Sequence, residues 1–236
     1  MRLLVTRPRP AAERTAEKLQ ALGHQVTILP LMEAQHLPGA VRAALDRSPD
    51  GIAVTSAEAV RVLAALGPAV KSHLAAPLFA VGKATALAAS GIGFTNIRVG
   101  GGTGEALAET VAAERRAGAG KLLYLAGAPR ADGFERALSE RGIDHVTVEC
   151  YRMAPVSYGR QALFDLVRPG AFDGVLLYSR ETARHLAALL KESNLDVTAF
   201  STRYLCMSSA VREALPDDAV VQIAAEPDEN ALLKLL

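Results

Sequence analysis

The chain has 236 residues, which is enough for one large domain or two small ones. Half of the residues are hydrophobic and 22% are charged, so the chain can bury a core and is not disordered. Lys and Arg number 26 against 25 Asp and Glu, and this net charge of +1 argues against a general nucleic-acid or membrane-surface binder.

Short apolar runs alternate with Ala- and Leu-rich stretches along the whole chain. From the amino terminus, the predicted strands are 2–6, 25–29, 51–55, 77–81, 95–99, 121–125, 145–150, 173–178, 203–207 and 219–223. Between most of them lie amphipathic patterns that predict helices, such as Ala11–Leu22, Ala57–Leu66, Glu105–Ala117 and Thr182–Leu190. This alternation indicates an α/β fold with parallel sheets covered by helices on both faces. Ten strands are many for one open sheet, which favours two five-stranded sheets.

An internal repeat divides the chain into two copies of one α/β unit, residues 1–118 and 119–236. The segment Asp50–Leu66 aligns without a gap with Asp173–Leu189, and nine of the seventeen positions are identical. Each copy could form its own domain. Alternatively, the chain could cross over, so that each domain takes the front of one copy and the back of the other.

Two extended, proline-bounded segments at equivalent points of the copies, Pro30–Pro38 and Cys150–Pro155, are predicted to be linkers. Two linkers favour the crossover. It predicts a discontinuous first domain of residues 1–30 and 156–236 and an inserted second domain of residues 36–149. Residues 31–35 and 150–155 would then form the linker strands.

Residues for metal or nucleophilic chemistry are sparse. The five histidines never fall at i, i+3 or i+4, and no Walker loop, G-x-S-x-G elbow or H-E-x-x-H motif is present. Cys150 and Cys206 have no electropositive partner beside them and are interpreted as small core residues. No signal-peptide pattern follows Met1 and no apolar run is long enough to span a membrane, so we expect a cytoplasmic protein.

The glycine-rich run Val99–Glu105 follows a predicted strand and opens a helix. Such a loop can cradle a phosphate group. This one lacks the G-x-G-x-x-G spacing, and the next strand does not end in an acidic residue that could hold a ribose. We therefore interpret it as a helix-starting loop capped by Thr103 rather than as a cofactor site.

Small or hydroxyl-bearing residues recur at the carboxyl ends of the predicted strands, and four of these ends carry a cation. In open α/β sheets ligands bind at this edge, where backbone N–H groups and the helix dipole favour anions. Any one of these serines or threonines could simply cap a helix. Together the ends predict a polyanion site, which would lie between the domains if these face each other. Its members are Thr6, Arg7, Thr55, Ser56, Gly82, Lys83, Gly127, Arg130, Tyr178, Ser179 and Arg180.

Seven short motifs occur in order along the chain: Leu4–Pro8, Leu29-Pro30, Ile52–Val60, Ala80–Thr85, Leu125–Gly127 with Arg130, Tyr151, and Leu177–Ser179. In order, spacing and total length they resemble the uroporphyrinogen-III synthase family over nearly the whole chain. The resemblance implies two flavodoxin-like parallel-sheet domains joined by a two-stranded linker. It also adds Thr85 to the substrate-binding residues.

The resemblance further implies the reaction, in which hydroxymethylbilane, a linear tetrapyrrole polycarboxylate, is cyclised with inversion of its last pyrrole ring to uroporphyrinogen III. No metal or organic cofactor is needed in this family. We therefore expect a cofactor-independent lyase of porphyrin biosynthesis whose partner is a small-molecule substrate. We expect no nucleic-acid or membrane partner and a monomeric protein.

Positioning dominates the chemistry that the resemblance implies. Loss of the terminal hydroxyl gives an electrophilic azafulvene, which closes unaided to the uninverted isomer. The enzyme must instead direct attack by the substituted carbon of the last ring, through a spiro intermediate, and domain closure would exclude water. Tyr151 matches the family tyrosine that assists hydroxyl departure. With an ordinary pKa of about 10 it would act as a hydrogen-bond donor, and it could equally be an aromatic residue that packs in the linker.

One turn departs from the family pattern. Where the family usually reads Ile-Gly-Pro-Thr-Thr-Ala, this chain reads Met207–Arg212, with Ser208 in place of glycine and Ala210 and Val211 in place of the threonines. The role of the second threonine hydroxyl therefore does not carry over. We expect the backbone approach at Ser208 to be tighter than at the equivalent Gly82.

Other protein classes also combine two α/β lobes with such linkers. A non-catalytic binder of a tetrapyrrole or another small polyanion would share the architecture, but solute-binding proteins are normally exported. A nucleotide-dependent transferase would use Gly100–Gly104 and would need an acidic ribose partner, which Leu122–Ala126 does not supply. A flavodoxin or receiver module would need a flavin-stacking aromatic or an acidic cluster at the strand ends. The synthase hypothesis therefore fits the repeat and its hydroxyl-bearing strand ends best.

Overall fold

The computed structural model describes residues 1–115, 119–159, 172–201 and 203–236, without the side chain of residue 199. Within these ranges the strands are β1 Arg2–Val5, β2 Gln25–Ile28, β3 Met32–His36, β4 Gly51–Val54, β5 Leu78–Ala80, β6 Ile97–Val99, β7 Leu122–Ala128, β8 His145–Pro155, β9 Gly174–Leu177, β10 Tyr204–Cys206 and β11 Val221–Ile223. Each predicted strand is found, most of them shortened at their ends.

The helices of the described ranges are α1 Ala11–Ala21, α2 Pro38–Leu45, α3 Ala57–Ala65, α4 Lys83–Gly91, α5 Gly104–Glu114, α6 Gly133–Glu140, α7 Arg180–Glu192, α8 Val197–Phe200, α9 Ser209–Arg212 and α10 Glu229–Leu233, with a 3₁₀ turn over Gly67–His73. The predicted end of α5 at Ala117 lies outside the described residues. Serine caps begin two equivalent helices of the repeat. Ser56 Oγ accepts from the N–H of Ala59 at the start of α3, and Ser179 Oγ accepts from the N–H of Thr182 at the start of α7.

The strands form two sheets, with orders β11-β10-β9-β1-β2 and β3-β8-β7-β4-β5-β6. The pairs β1–β2, β1–β9, β9–β10 and β10–β11 of the first sheet are parallel, as are β4–β5, β4–β7, β5–β6 and β7–β8 of the second. The predicted α/β fold with parallel sheets is therefore confirmed. The expectation of two five-stranded sheets was wrong for the second, which gains β3 because this segment pairs with β8.

Each sheet combines strands from both copies of the repeat. The first joins β1 and β2 of the first copy to β9, β10 and β11 of the second, and the second joins β4, β5 and β6 to β7 and β8. The chain accordingly divides into two compact units. Unit 1 comprises Met1–Glu33 and Ala154–Leu236, and unit 2 comprises Ala34–Met153.

The segments β3 and β8 carry the chain across the boundaries of these units. The N–H of Leu37 donates to the carbonyl of Cys150, and the N–H of Val156 donates to the carbonyl of Leu31. Because one residue number falls as the other rises, β3 and β8 run in opposite directions. Strand β8 thus continues five residues beyond its predicted end at residue 150, to Pro155.

Buried aliphatic side chains fill the space between each sheet and its helices. Unit 1 buries Leu4, Val175 and Leu186 on one face of its sheet, and Leu3, Val5 and Leu232 on the other. Both cysteines belong to these cores. Burial raises the pKa of each thiol to about 12, so both remain protonated at neutral pH, which confirms their interpretation as core residues.

Candidate active site

Ser56 follows strand β4 by two residues, Gly127 is the penultimate residue of β7, and Tyr151 lies opposite Gly127 within β8. We call these three residues of neighbouring strands the tyrosine edge. In register, Val54 pairs with Leu125 and, after a shift in register, Gly127 pairs with Tyr151. A Cβ atom on Gly127 would lie 2.3 Å from Cζ of Tyr151, so this strand approaches the ring closely only because it carries a glycine. The ring therefore passes over Gly127, and its hydroxyl donates to Ser56 Oγ at 3.1 Å.

The Ser56 hydroxyl is left as a hydrogen-bond donor by this arrangement. It accepts from the Tyr151 hydroxyl at 3.1 Å and, as the cap of α3, from the N–H of Ala59 at 3.2 Å. A hydroxyl oxygen has two acceptor positions and one proton. With both positions used, Ser56 can donate its own proton to an incoming oxygen atom, such as that of a carboxylate.

Burial raises the pKa of the Tyr151 phenol above its ordinary value of 10.0. The hydrogen bond to Ser56 and the charge of Arg61 lower this pKa, whereas Cys150 and Glu58 raise it further. The phenol is therefore protonated at neutral pH. Its chemical capacity is to donate a hydrogen bond to an oxygen that is gaining negative charge.

A second hydroxyl pair lies beside the tyrosine edge. Oγ1 of Thr55, the residue after β4, and the hydroxyl of Tyr124 on β7 are 3.0 Å apart. The Tyr124 ring is buried and packs edge-on against Phe134, with centroids 4.8 Å apart. Burial raises the pKa of Tyr124, so it too is protonated at neutral pH.

Strand β5 brings an open helix N-terminus to this part of the sheet. Gly82 is the cap residue of α4, and no described side chain caps this helix, so its first N–H groups are free to meet an anion. Lys83 is exposed and makes no ion pair within the described residues. Thr85 is 5% exposed, so the structure places it in the interior rather than at the edge.

The guanidinium of Arg130 is already paired. Its Nε and Nη2 donate to the two carboxylate oxygens of Glu135 at 2.8 and 3.1 Å. The hydrogen bonds from Arg130 lower the pKa of the Glu135 carboxyl, so the pair is ionised at neutral pH. A substrate carboxylate would have to compete with Glu135 for this arginine.

The equivalent edge of unit 1 carries Thr6, Arg7 and Tyr178. The buried hydroxyl of Thr6 donates to the carbonyl of Leu176 at 2.7 Å and so links β1 to β9. Arg7 lies 4.2 Å from the centre of the Tyr178 ring and donates to Glu229 at 2.7 Å. Burial is the largest cause acting on the pKa of Tyr178 and raises it, whereas Thr15 and the charge of Arg7 partly lower it.

Ser179 and Arg180 follow Tyr178 at the start of α7. Ser179 Oγ lies 2.8 Å from Oγ1 of Thr182 and accepts from that residue's N–H at 3.2 Å. The Arg180 guanidinium lies 4.0 Å from the Glu213 carboxylate, and about half of its side chain is exposed. Of the four predicted cations, Lys83 and Arg180 are thus the more open, and Arg7 and Arg130 are held by internal carboxylates.

Ser208 adopts the same backbone conformation as its counterpart in unit 2. Its φ and ψ of −161° and 169° match the −160° and 175° of Gly82, and both residues are helix caps. This extended conformation suits any residue. Replacement of glycine by serine in this turn therefore introduces no backbone strain.

The glycine-rich run is a packing feature and a helix start. Thr103 Oγ1 accepts from the N–H of Ala106 at 3.2 Å, which confirms the predicted cap. A Cβ on Gly104 would lie 2.8 Å from the backbone nitrogen of Phe134, so glycine lets α5 approach α6. Among the described residues, no group of three or more His, Cys, Asp or Glu could hold a metal ion, and no helix is both long and apolar enough to cross a membrane.

Sequence reasoning missed four residues of these surroundings: Tyr124, which pairs with Thr55, Glu229, which pairs with Arg7, and Glu58 and His36, which pair with each other. A tyrosine in the otherwise apolar strand β7 was a usable signal for Tyr124. Glu58 is one of the residues shared by the two copies of the repeat. The contacts of His36 and Glu229 join residues 22 and 222 positions apart, so local patterns carry no signal for them.

Comparison with known proteins gives a consistent result. A family model described as uroporphyrinogen-III synthase HemD matches residues 13–234. The uroporphyrinogen-III synthetase of Helicobacter pylori superposes with a TM-score of 0.64 at 17% identity, covering 100% of this chain and 98% of that one. A mutant uroporphyrinogen III synthase of the extremely thermophilic bacterium Thermus thermophilus gives 0.53 at 21% identity, covering 99% and 96%. At these identities the two structures support the fold, and no curated protein matches the sequence.

Proposed function

The chain belongs to the uroporphyrinogen-III synthase family, and we propose that its tyrosine edge assists the reaction of that family. The protein is a cofactor-independent lyase of porphyrin biosynthesis. It converts hydroxymethylbilane to uroporphyrinogen III, with inversion of the last pyrrole ring. The observation that supports the site best is the hydrogen bond from the Tyr151 phenol to Ser56, over the bare backbone of Gly127.

Tyr151 would act on the departing hydroxyl of the substrate. As the bond between that oxygen and the terminal carbon breaks, its electron pair stays on the oxygen, and the pyrrole nitrogen supplies electrons to the carbon. A phenol proton directed at this oxygen stabilises the developing charge. The phenol O–H would turn from Ser56 Oγ to this oxygen and donate a hydrogen bond to it, and the Ser56 hydroxyl could then donate to the phenol oxygen. The oxygen leaves as water with the proton that the pyrrole N–H loses as the azafulvene forms, so the phenol stays protonated.

Other residues of the edges would hold carboxylates. In unit 2, the uncapped N–H groups of α4 and the exposed cation of Lys83 offer an anion site next to Thr55 and Ser56. In unit 1, the start of α7 is capped by Ser179, so it offers mainly the half-exposed cation of Arg180. Arg7 and Arg130 would bind a substrate carboxylate only when it displaces their internal partners, Glu229 and Glu135. We assign smaller roles to Thr6, Thr85 and Tyr178, whose polar atoms are buried in this structure.

Ring inversion requires the substrate to be held in one folded conformation. Correct alignment of the substituted carbon with the electrophilic carbon removes much of the entropic barrier. Several weak carboxylate contacts fix such a conformation better than one strong contact at a single point. We propose units 1 and 2 as the two domains of the family fold, and a monomer in the cytoplasm remains our prediction.

An isomer assay tests the function. Hydroxymethylbilane is generated in situ, the product is oxidised, and uroporphyrins I and III are separated by chromatography. We expect mostly isomer III, well above an enzyme-free control. Isomer I alone from folded protein would reject the activity and leave a non-catalytic binder of a tetrapyrrole.

A further inference from the structure

A second group of charged side chains, outside the proposed catalytic groups, adjoins the tyrosine edge. Glu58, in the first turn of α3, lies 2.6 Å from Nε2 of His36 through its Oε1, and its other oxygen accepts from Arg61. Because a carboxylate only accepts hydrogen bonds, Nε2 of His36 carries a proton. The Glu58 side chain is 19% exposed, so these bonds lie partly out of water.

These contacts close a ring around Tyr151. Its phenol bonds Ser56, which lies two residues before Glu58 in the chain. Glu58 bonds His36, and the next residue, Leu37, donates its N–H to the carbonyl of Cys150 at 2.8 Å. Cys150 precedes Tyr151, which completes the ring. The backbone and the phenol of Tyr151 are therefore tied to the same helix start by two separate routes.

The repeat supplies an internal comparison. Glu181 and Arg184 of α7 occupy the positions of Glu58 and Arg61, and they form the same pair three residues apart at 2.7 Å. Their side chains are 56% and 52% exposed, and Glu181 makes no contact with a histidine within the described residues. The pair of acid and arginine is thus common to both copies. The contact with a histidine and the low exposure of the acid distinguish Glu58, beside Tyr151, from Glu181.

We propose that Glu58, anchored by His36, is a positioning residue that fixes the direction of the Tyr151 phenol. This inference rests on the proposed function of Tyr151. During the reaction the phenol must turn its proton from Ser56 to the leaving hydroxyl, and a small misplacement of a reacting group costs rate steeply. Bonding of Glu58 to strand β3 holds the start of α3, and with it Ser56, against the strand that carries Tyr151.

The charge of Glu58 also helps to keep the Tyr151 phenol protonated. The charge of Glu58 raises the pKa of Tyr151, although burial is the larger cause, and Arg61 partly opposes it. Replacement of Glu58 by glutamine should therefore lower the pKa of Tyr151. The phenol would still be protonated at neutral pH, so the main kinetic effect should come from position.

A double-mutant cycle tests the proposal. Glu58→Gln is measured in the unmodified protein and in a Tyr151→Phe background, with Glu181→Gln as the matched control. We expect Glu58→Gln to lower kcat roughly three- to tenfold with little change in KM, and Glu181→Gln to leave both unchanged. In the Tyr151→Phe background the loss caused by Glu58→Gln should disappear, since no phenol remains to be positioned.

Variants of His36 test the anchor. His36→Ala should reproduce the loss in kcat, and His36→Gln, whose amide can still donate to Glu58, should recover much of it. The double variant His36→Ala with Glu58→Gln should have a kcat no lower than that of the more impaired single variant. An equal loss from Glu58→Gln with and without the Tyr151 phenol would show that Glu58 does not act through it, and would overturn the proposal.

A spectroscopic measurement separates this inference from the proposed function. Tyrosine labelled with ¹³C at Cζ gives one signal for Tyr151, identified by its loss in Tyr151→Phe, and this signal is titrated with pH. We expect Glu58→Gln to lower the pKa of Tyr151 and to shift its signal at neutral pH, and Glu181→Gln to do neither. Unchanged spectra would reject the contact even in an active enzyme. A shift in a protein that makes no isomer III would reject only the assigned function.

Discussion

At the scale of single residues, Tyr151 carries the chemical part of the proposal. Tyr151→Phe keeps the ring over Gly127 and removes only the hydroxyl that donates to Ser56. We expect kcat to fall by roughly a hundredfold, the loss typical of one proton-donating group, with a thermal midpoint close to that of the unmodified protein. Steady-state kinetics with hydroxymethylbilane measure this. Complete loss of activity in a folded variant would contradict an account in which positioning supplies most of the acceleration.

Gly127 is the residue that makes room for that ring. In Gly127→Ala the new methyl group would lie 2.3 Å from Cζ of Tyr151, so the ring has to move. We expect a destabilisation of about 1–3 kcal/mol and a loss of kcat at least as large as that of Tyr151→Phe. Denaturant melts and kinetics measure both quantities.

Gly39→Ala is a suitable control for this substitution. Gly39 lies in α2, where a Cβ would have no atom within 4 Å, and alanine is expected to stabilise the helix by about 0.5–1 kcal/mol. If Gly127→Ala were tolerated as well as Gly39→Ala, the close approach of strand and ring would be wrong.

At the scale of elements, a substitution at the start of α5 tests whether the glycine-rich loop has a structural role or binds a ligand. Thr103 caps this helix, and Gly104 lets the helix approach Phe134 of α6. Thr103→Ala should cost about 1 kcal/mol of folding free energy and leave KM and kcat unchanged. Thermal melts and kinetics check this. A rise in KM without loss of stability would instead indicate that the loop binds substrate.

Most elements follow from local sequence, and the exceptions have physical reasons. The apolar β-forming runs predict the strands best where these are buried in the middle of a parallel sheet, as β4, β7 and β9 are. Strand β3 and the end of β8 were assigned only to a linker, since Met32–His36 contains Glu33, Gln35 and His36 and owes its strand conformation to pairing with β8. The tyrosine edge contains residues that the sequence predicted, whereas the bond between His36 and Glu58 depends on that pairing and could not be predicted locally.

At the scale of the whole molecule, the two ends of the chain meet in unit 1. Helix α10, near the carboxyl terminus, buries Leu232 against Leu3 and Val5 of the first strand. Glu229 of this helix accepts hydrogen bonds from Arg7, Thr15 and Lys18. Residues between Leu3 and Lys18 are therefore held in part by residues more than 200 positions away.

Because Glu229 acts in its ionised form, the stability that it gives to the joined chain ends should depend on pH. Burial alone would raise its pKa, but the hydrogen bonds from Lys18 and Thr15 and the charge of Arg7 lower it below the ordinary 4.5. A carboxyl whose pKa is lower in the folded state stabilises the protein above its ordinary pKa, and this contribution is lost as the pH falls. At pH 7, Glu229→Gln should therefore destabilise the protein by about 1–2 kcal/mol.

Measurements at two pH values distinguish this charge effect from a loss of packing. The difference in thermal midpoint between Glu229→Gln and the unmodified protein should shrink as the pH is lowered from 7 to about 3.5, because the stabilisation by the ionised carboxyl is progressively lost below its ordinary pKa. Glu226→Gln, an exposed neighbour, should have little effect at either pH. A difference of the same size at both pH values would assign the effect to shape rather than charge. The bonds of Glu229 to Arg7, Thr15 and Lys18 would then contribute no charge-dependent stability to the joining of the chain ends.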